Sequence, residues 1–96
     1  MQFFILIRRR VEALSPEEFE PWFPPEQERV REMYAEGFVR QIWRRGDMPG
    51  AVMLVEAADE AEVRAKLQTL PMLAANLLEL VAVTPLEPYP AFGPRA

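Results

Sequence analysis

The sequence predicts an α+β domain in which two helices cover one face of a four-stranded antiparallel sheet. Segments of strand length that contain several β-branched or aromatic residues lie at residues 3–7, 38–45, 51–56 and 77–83. Two helix starts separate these segments, because Ser15 and Asp59 are each followed three residues later by a glutamate, as in a capping box. The resulting order, β-α-β-β-α-β, is the ferredoxin-like arrangement.

The first strand, residues 3–7, is apolar without interruption, which indicates that both of its faces are covered. Ser15 then serves as the N-cap of a short helix, with Pro16 in the first helical position. Further prolines break this helix, because proline lacks an amide donor and clashes with the preceding turn. A longer helix is predicted over residues 25–36, with Gly37 as its C′ residue.

The second and third strands are predicted to form a hairpin around the turn residues 46–50. Strand alternation places Val39, Gln41 and Trp43 on one face of the sheet. Arg44 then points to the opposite face from Trp43, unless a bulge or the strand end intervenes.

The helix opened by Asp59 is expected to end at Pro71, and the fourth strand follows it. Residues 1–84 therefore form one barrel domain of ferredoxin-like type. Residues 85–96 form a proline-rich tail that is too apolar for a free linker. We expect this tail to pack on the body of the domain or on a partner subunit.

The predicted sheet has a second apolar face that two helices cannot cover. The first, third and fourth strands are apolar on both sides, so this face requires another apolar surface. A second copy of the same sheet is the simplest cover, and it would complete a dimeric α+β barrel. We therefore expect a homodimer or a larger ring of dimers.

The composition excludes several classes of function. The 96 residues include no cysteine and no histidine, which removes thiolate nucleophiles and the commonest general base and metal ligand. The net charge of −4 argues against binding to nucleic acid. No apolar run reaches the roughly 20 residues that a membrane span needs, and no signal-peptide pattern is present. We expect a cytoplasmic protein that uses no cofactor and no metal.

One short stretch carries most of the recognisable chemistry. Arg40, Trp43, Arg44 and Arg45 lie within six residues on the second strand. Tryptophan offers a flat apolar face and arginine a planar fork that holds carboxylates bidentately, so the stretch suits a small organic acid. The alternative is an amphipathic strand whose arginines reach into water while Trp43 fills the core.

Three sequence features resemble the muconolactone Δ-isomerase family of dimeric α+β barrels. They are the helix end Glu36-Gly37, the run Arg40-x-x-Trp43-Arg44 and the pair Leu70-Pro71. The resemblance covers nearly the whole chain, from the first strand to the fourth. It implies a compact homodimer, a pocket for a small lactone carboxylate, and cofactor-free movement of a proton along a conjugated system.

The resemblance also implies roles for individual residues. Glu26 stands where the family places a pocket-facing glutamate that carries the proton, and Trp43 and Arg44 match the family's Trp-Arg pair. The chain departs from the family pattern at Phe23, where the isomerases commonly have lysine, and at Gln41, which replaces histidine. In the turn, Met48-Pro49 replaces His-Tyr.

The candidate catalytic residue is therefore Glu26. Candidate substrate-binding residues offer an apolar surface, a guanidinium or a hydrogen-bond donor: Trp43, Arg44, Arg40, Tyr34, Trp22, Phe23 and Met48. Each has a structural alternative as well. Glu26 could simply interact with the helix dipole, the arginines could pair with surface acids, and the apolar residues could pack in the core.

Three functions fit these observations. The first is a cofactor-free isomerase, or a related lyase or cyclase, that acts on a small lactone or unsaturated acid through Glu26. The second is a small-ligand-binding barrel that keeps the fold without the chemistry. The third is a cofactor-free oxygenase of the wider dimeric barrel superfamily. A neighbouring cluster of genes for aromatic compound degradation would favour the first.

Overall fold

The computed structural model describes residues 1–92, which form four strands and four α-helices. In chain order these are β1 (Gln2–Arg9), α1 (Pro16–Phe19), α2 (Phe23–Ala35), β2 (Val39–Arg44), β3 (Gly50–Glu56), α3 (Glu60–Leu67), α4 (Pro71–Ala74) and β4 (Leu78–Leu86). A 3₁₀ turn, Glu20–Trp22, joins α1 to α2. No helix in this part of the chain is long and apolar enough to cross a membrane.

The four strands form one antiparallel sheet in the order β2-β3-β1-β4. β2 and β3 make the predicted hairpin, and β1 lies in the centre between β3 and β4. This arrangement confirms the predicted ferredoxin-like α+β fold.

Side-chain alternation along β1 builds the core on the helix side of the sheet. Phe3, Ile5 and Ile7 are fully buried there. They belong to one apolar cluster with residues of the longer helices, such as Met33 of α2 and Leu67 of α3. The core therefore lies between the sheet and α2 and α3.

The opposite side of the sheet is also apolar, and we call it the open face. Its members are Phe4, Leu6, Trp43, Val52 and Leu54, which are half-buried except for Trp43. Val52 pairs with both Leu6 and Trp43, while Leu54 pairs with Phe4, so these side chains share one surface. No element among residues 1–92 packs over this surface, and Trp43 remains 51% exposed.

A β-bulge at Arg40 sets which residues of β2 face the helices. The pairing with β3 shifts between Val39, opposite Val55, and Gln41, opposite Leu54. Val39 is buried in the core, whereas Gln41 is exposed on the open face. The sequence prediction that Val39 shares a face with Gln41 was therefore wrong. The prediction that Trp43 and Arg44 point to opposite sides is confirmed by the register.

The predicted N-cap residues Ser15 and Asp59 and the C′ glycine are present, but the second capping box is not reciprocal. Ser15 and Glu18 form a reciprocal capping box at the start of α1. Asp59 accepts a hydrogen bond of 2.8 Å from the Glu62 amide at the start of α3. The Glu62 carboxylate accepts a hydrogen bond of 2.9 Å from the Ala58 amide, one residue before the N-cap. Gly37 has φ +85° and ends α2 in a Schellman motif, because the Phe38 amide donates to the Met33 carbonyl at 3.0 Å.

Three element bounds differ from the sequence prediction. α2 begins at Phe23, before two prolines. The amides of a first helical turn have no partner within the helix, so prolines, which lack an amide donor, are tolerated there. α3 ends at Leu67, and Pro71 opens the extra helix α4 instead of merely stopping α3. β4 continues to Leu86, since its last residues still pair with the start of β1.

The described part of the tail, residues 87–92, is exposed in the single chain, including Tyr89 and Phe92. Residues 85 and 86, which the sequence analysis assigned to the tail, belong to β4. Packing of the tail on a partner subunit stays a prediction, and its last four residues, 93–96, lie outside the described part of the chain.

Candidate active site

A cavity of about 590 Å³ lies between α2 and the helix side of the sheet, beside the β2–β3 hairpin. Five elements contribute to its wall: β1, α2, β2, β3 and α4, with the first residue of β4 at one side. Its lining residues are Ile7, Arg9, Phe23, Glu26, Gln27, Val30, Arg31, Ile42, Trp43, Arg44, Gly50, Ala51, Met53, Met72 and Leu78.

Helical spacing brings the α2 side of the wall together. Phe23, Glu26 and Val30 lie three and four residues apart, which places them on one face of the helix. Strand alternation does the same for β2, where Ile42 and Arg44 pair with Met53 and Ala51 on the helix side. The predicted candidates Glu26, Phe23 and Arg44 thus line one cavity.

Glu26 is the carboxylate of this cavity. Its side chain is partly buried, and its Oε1 accepts a hydrogen bond of 2.9 Å from the Met72 amide. Burial raises the pKa of Glu26, and the hydrogen bond from Met72 opposes that change without cancelling it. Within residues 1–92, no lysine or arginine forms an ion pair with this group.

The Met72 amide explains how Glu26 is held in place. Met72 lies in the first turn of α4, whose N-cap residue Leu70 offers no side-chain acceptor. The Glu26 carboxylate supplies that acceptor from α2. One oxygen is therefore fixed by a backbone donor, and the raised pKa makes the group a better proton acceptor than an ordinary surface glutamate.

Arg44 reaches the cavity from the end of β2. Its side chain is exposed, and it forms no ion pair with any residue of the described chain. The role of Arg44 as a ligand-binding residue stays a prediction. Phe23 contributes a half-buried ring to the same cavity.

Arg9 is a cavity residue that the sequence analysis did not single out. Its guanidinium carbon lies 4.8 Å from the centroid of the Phe23 ring and 5.5 Å from that of Phe19. In the sequence, Arg9 stands in the middle of a short basic run, residues 8–10, a pattern typical of solvent-exposed side chains. Continuing the alternation of Phe3, Ile5 and Ile7 would have placed Arg9 on the buried side of β1.

Of the remaining candidates, Trp43 alone borders the cavity, which it reaches from β2. The register puts the Trp43 side chain on the open face, so it does not fill the core of the single chain. Tyr34 is 65% exposed on α2, neither in the core nor at the cavity.

Three further candidates do not line the cavity. Arg40 forms an ion pair of 3.5 Å with Glu56 at the sheet edge. Trp22 packs against a second apolar cluster around Phe19, and Met48 is exposed in the hairpin turn.

Metal ligands are not grouped in the described residues. No set of three or more histidine, cysteine, aspartate or glutamate side chains within residues 1–92 is placed to hold a metal ion.

The fold and the cavity together define a small ferredoxin-like α+β protein with a partly buried carboxyl group in a cavity beside arginine side chains. The chain belongs to the muconolactone delta-isomerase family, because the sequence model of that family matches residues 1–91. A search of curated protein sequences finds no match.

Two solved structures have the same fold. Muconolactone isomerase superposes with a TM-score of 0.78 at 17% sequence identity, over 95% of this chain and 93% of that one. The second is the 5-chloro-2-hydroxyhydroquinone dehydrochlorinase of Burkholderia phenoliruptrix, in complex with 2,5-dihydroxybenzoquinone. It superposes with a TM-score of 0.74 at 17% sequence identity, over 93% of this chain and 96% of that one. Both matches span nearly the full length of both chains, so the fold is shared from β1 to β4.

Proposed function

We propose that this protein is a cofactor-free isomerase that moves a proton within a small lactone or unsaturated carboxylic acid. The observation that carries the proposal is the position of Glu26, a partly buried carboxyl group with a raised pKa in a cavity beside arginine side chains. Membership of the muconolactone delta-isomerase family supports the same reaction class.

The proposed reaction needs only one proton carrier. The Glu26 carboxylate takes a proton from the carbon next to the substrate carbonyl, and the electron pair of that C–H bond moves into the conjugated system as an enolate. The carboxylic acid then returns the proton to a different carbon of that system, which regenerates the carboxylate and shifts the double bond. An arginine at the cavity stabilises the negative charge while it exists.

A homodimer is part of the proposal, because the open face would be covered by the open face of a second copy. Half-buried Phe4, Leu6, Val52 and Leu54 form a continuous apolar surface on the side of the sheet away from the helices. A surface of this kind is typical of an interface and costs free energy when it faces water.

A second candidate function is ligand binding without chemistry. The Glu26–Met72 hydrogen bond favours it, since a carboxylate that caps α4 has a structural role whether or not it moves protons. The two candidates make different predictions about exchange of substrate hydrogens.

The test is hydrogen exchange into substrate from deuterated water. Wild-type protein is incubated with muconolactone and related enol lactones, and deuterium at the carbon next to the carbonyl is followed by NMR. Glu26→Gln keeps the side-chain volume and an oxygen for the Met72 amide but removes the base. General acid–base catalysis contributes typically about 10²–10⁴-fold, so we expect the exchange rate to fall within that range.

Glu28→Gln is the matched control, because Glu28 is exposed on the same helix and does not line the cavity. It should exchange deuterium at the wild-type rate. No exchange with any of the lactones in wild type would rule out the isomerase, and full activity in Glu26→Gln would remove Glu26 from it.

A further inference from the structure

We propose that Arg9 is the residue that binds the anionic end of the ligand in this cavity. The inference deepens the proposed function by assigning the carboxylate-binding group to β1 instead of to Arg44 of β2. It concerns binding, so it can be tested separately from the proton transfer.

The backbone fixes where Arg9 points. Arg9 follows Ile7 by two residues on β1, and it pairs with Leu78 of β4, which also lines the cavity. Its amide donates a hydrogen bond of 3.0 Å to the Pro49 carbonyl of the hairpin turn. The end of β1 is thereby hydrogen-bonded on both sides, so the Arg9 side chain extends from a rigid part of the backbone.

Two aromatic rings hold the guanidinium. Phe23 and Phe19 both lie within the distance at which a cation is attracted to the face of an aromatic ring. Contacts to ring faces leave the in-plane N–H groups of a guanidinium unused, and these are the groups that bind a carboxylate bidentately. Phe23 thus acts as a platform for Arg9, with its own ring also forming part of the cavity wall.

Arg9 lacks the counter-charges that its neighbours have. Arg8 forms ion pairs with Glu12 at 3.0 Å and Glu79 at 2.8 Å, and Arg10 forms one with Glu12 at 3.6 Å. Arg9 is only partly exposed, yet its side chain forms no ion pair and no hydrogen bond with any residue of the described chain. A partly desolvated cation without a partner favours an anionic ligand.

The other arginines of the cavity are less suited to this role. Arg31 is exposed and pairs with Glu28 at 3.6 Å. Arg44 is exposed at the end of β2, where water and salt weaken its attraction to an anion. Arg9 is partly buried, in a less polar setting, so its contact with a carboxylate is the stronger one.

The test is direct binding of a conjugated carboxylate that is small enough for the cavity. Isothermal titration calorimetry with sorbate is performed on Glu26→Gln protein, in which proton transfer is expected to be about 10²–10⁴-fold slower. Adding Arg9→Gln should weaken sorbate binding about tenfold or more, since removing a charge-assisted hydrogen bond costs roughly that factor. Arg10→Gln, the matched control next to it, should leave the affinity unchanged, and Arg44→Gln should cost less than Arg9→Gln.

A second measurement does not depend on a variant that folds. Wild-type protein should bind sorbate more tightly than sorbamide, its neutral amide, and sorbate should shift the side-chain ¹⁵N resonance of Arg9 in NMR spectra. Equal affinity for sorbate and sorbamide, an undisturbed Arg9 resonance, or unchanged binding in Arg9→Gln would overturn the assignment.

The two proposals fail in different ways. Sorbate binding that depends on Arg9, together with no deuterium exchange in any lactone, would leave the assignment standing and remove the isomerase. Exchange at the same rate and the same KM in Arg9→Gln would keep the isomerase and overturn the role of Arg9.

Discussion

At the scale of single residues, two opposing effects act on the Glu26 carboxyl. Burial beside Phe23 and Val30 disfavours the charged form, whereas the Met72 amide favours it. Burial is the larger effect, so the pKa of Glu26 lies above its usual value. A group in this state is protonated over a wider pH range when the protein is folded than when it is unfolded.

The raised pKa gives the protein a pH-dependent stability that Glu26→Gln should remove. The folded state holds this proton more tightly than the unfolded state. The stabilisation is therefore present below the ordinary pKa of 4.5 and is lost as pH rises through the higher folded value. We expect the difference in melting temperature, Glu26→Gln minus wild type, to increase as the pH rises from about 4 to about 7.

Differential scanning calorimetry across this pH range provides the measurement. Glu28→Gln removes the same formal charge from an exposed position of α2 and controls for net charge. If the difference between Glu26→Gln and wild type stays constant from acidic to neutral pH, burial does not raise the pKa of Glu26.

The candidate site shows what residue patterns predict and what they leave out. The resemblance and the first-turn position were enough to select Glu26, Phe23 and Arg44, which line one cavity. Tyr34 has the right helical spacing for an inward position but lies at the edge of that face and is exposed. Arg9 was missed because a run of three arginines suggests solvent, and only the strand register separates it from its neighbours.

At the scale of elements, the end of the β2–β3 hairpin adjoins the cavity, and Gly50 is its most constrained position. Gly50 begins β3 opposite Arg8 and has φ +154°, a conformation that side chains rarely adopt. A Cβ atom at this position would overlap the Ile7 carbonyl oxygen of β1 and lie 3.2 Å from the Arg8 Cα. Only glycine allows the two backbones to approach this closely.

Gly50→Ala should therefore destabilise the protein. Overpacking against a rigid backbone costs about 1–3 kcal/mol, and the strand end must move for the new methyl group to fit. Gly46→Ala is the control, since a Cβ there would meet nothing within 4 Å in the same hairpin. Urea unfolding measures both, and a loss in Gly46→Ala as large as in Gly50→Ala would contradict the proposed overlap.

Sequence patterns predicted the elements better than their ends. The N-caps Ser15 and Asp59 and the glycine at position 37 act locally, so they could be predicted without the fold. The bulge at Arg40 and the extension of β4 to Leu86 depend on pairing with other strands. Pro71 illustrates a further limit, because proline is as suitable for the first turn of a helix as for its end.

At the scale of the whole molecule, the sheet has two apolar surfaces, of which one is covered by helices and the other is not. The helix side is closed by α2 and α3, and the cavity lies at one edge of that layer. The open face has the same strands but no covering element among residues 1–92. An extended tail with exposed Tyr89 and Phe92 adds apolar surface that a single chain leaves in water.

We predict that two copies bury the open face against each other, and that Trp43 reports on the contact. Light scattering coupled to size exclusion should give a dimer or a multiple of it, without monomer at micromolar concentration. Trp43→Arg places a charge on the open face, at a position where the single chain leaves the side chain 51% exposed. The folded chain should tolerate this change, and the assembly should dissociate because an unpaired charge would be buried.

Tyr34→Arg is the matched control. Tyr34 is also an exposed aromatic residue, 65% exposed, but it lies on α2, on the other side of the sheet. It should leave the dimer intact. A chain ended after Leu86 tests the tail in the same experiment, because a tail that packs on the partner subunit should strengthen assembly. A monomeric wild type would rule out the barrel. A dimer that persists in Trp43→Arg would place the interface on another surface and leave the open face without an occupant.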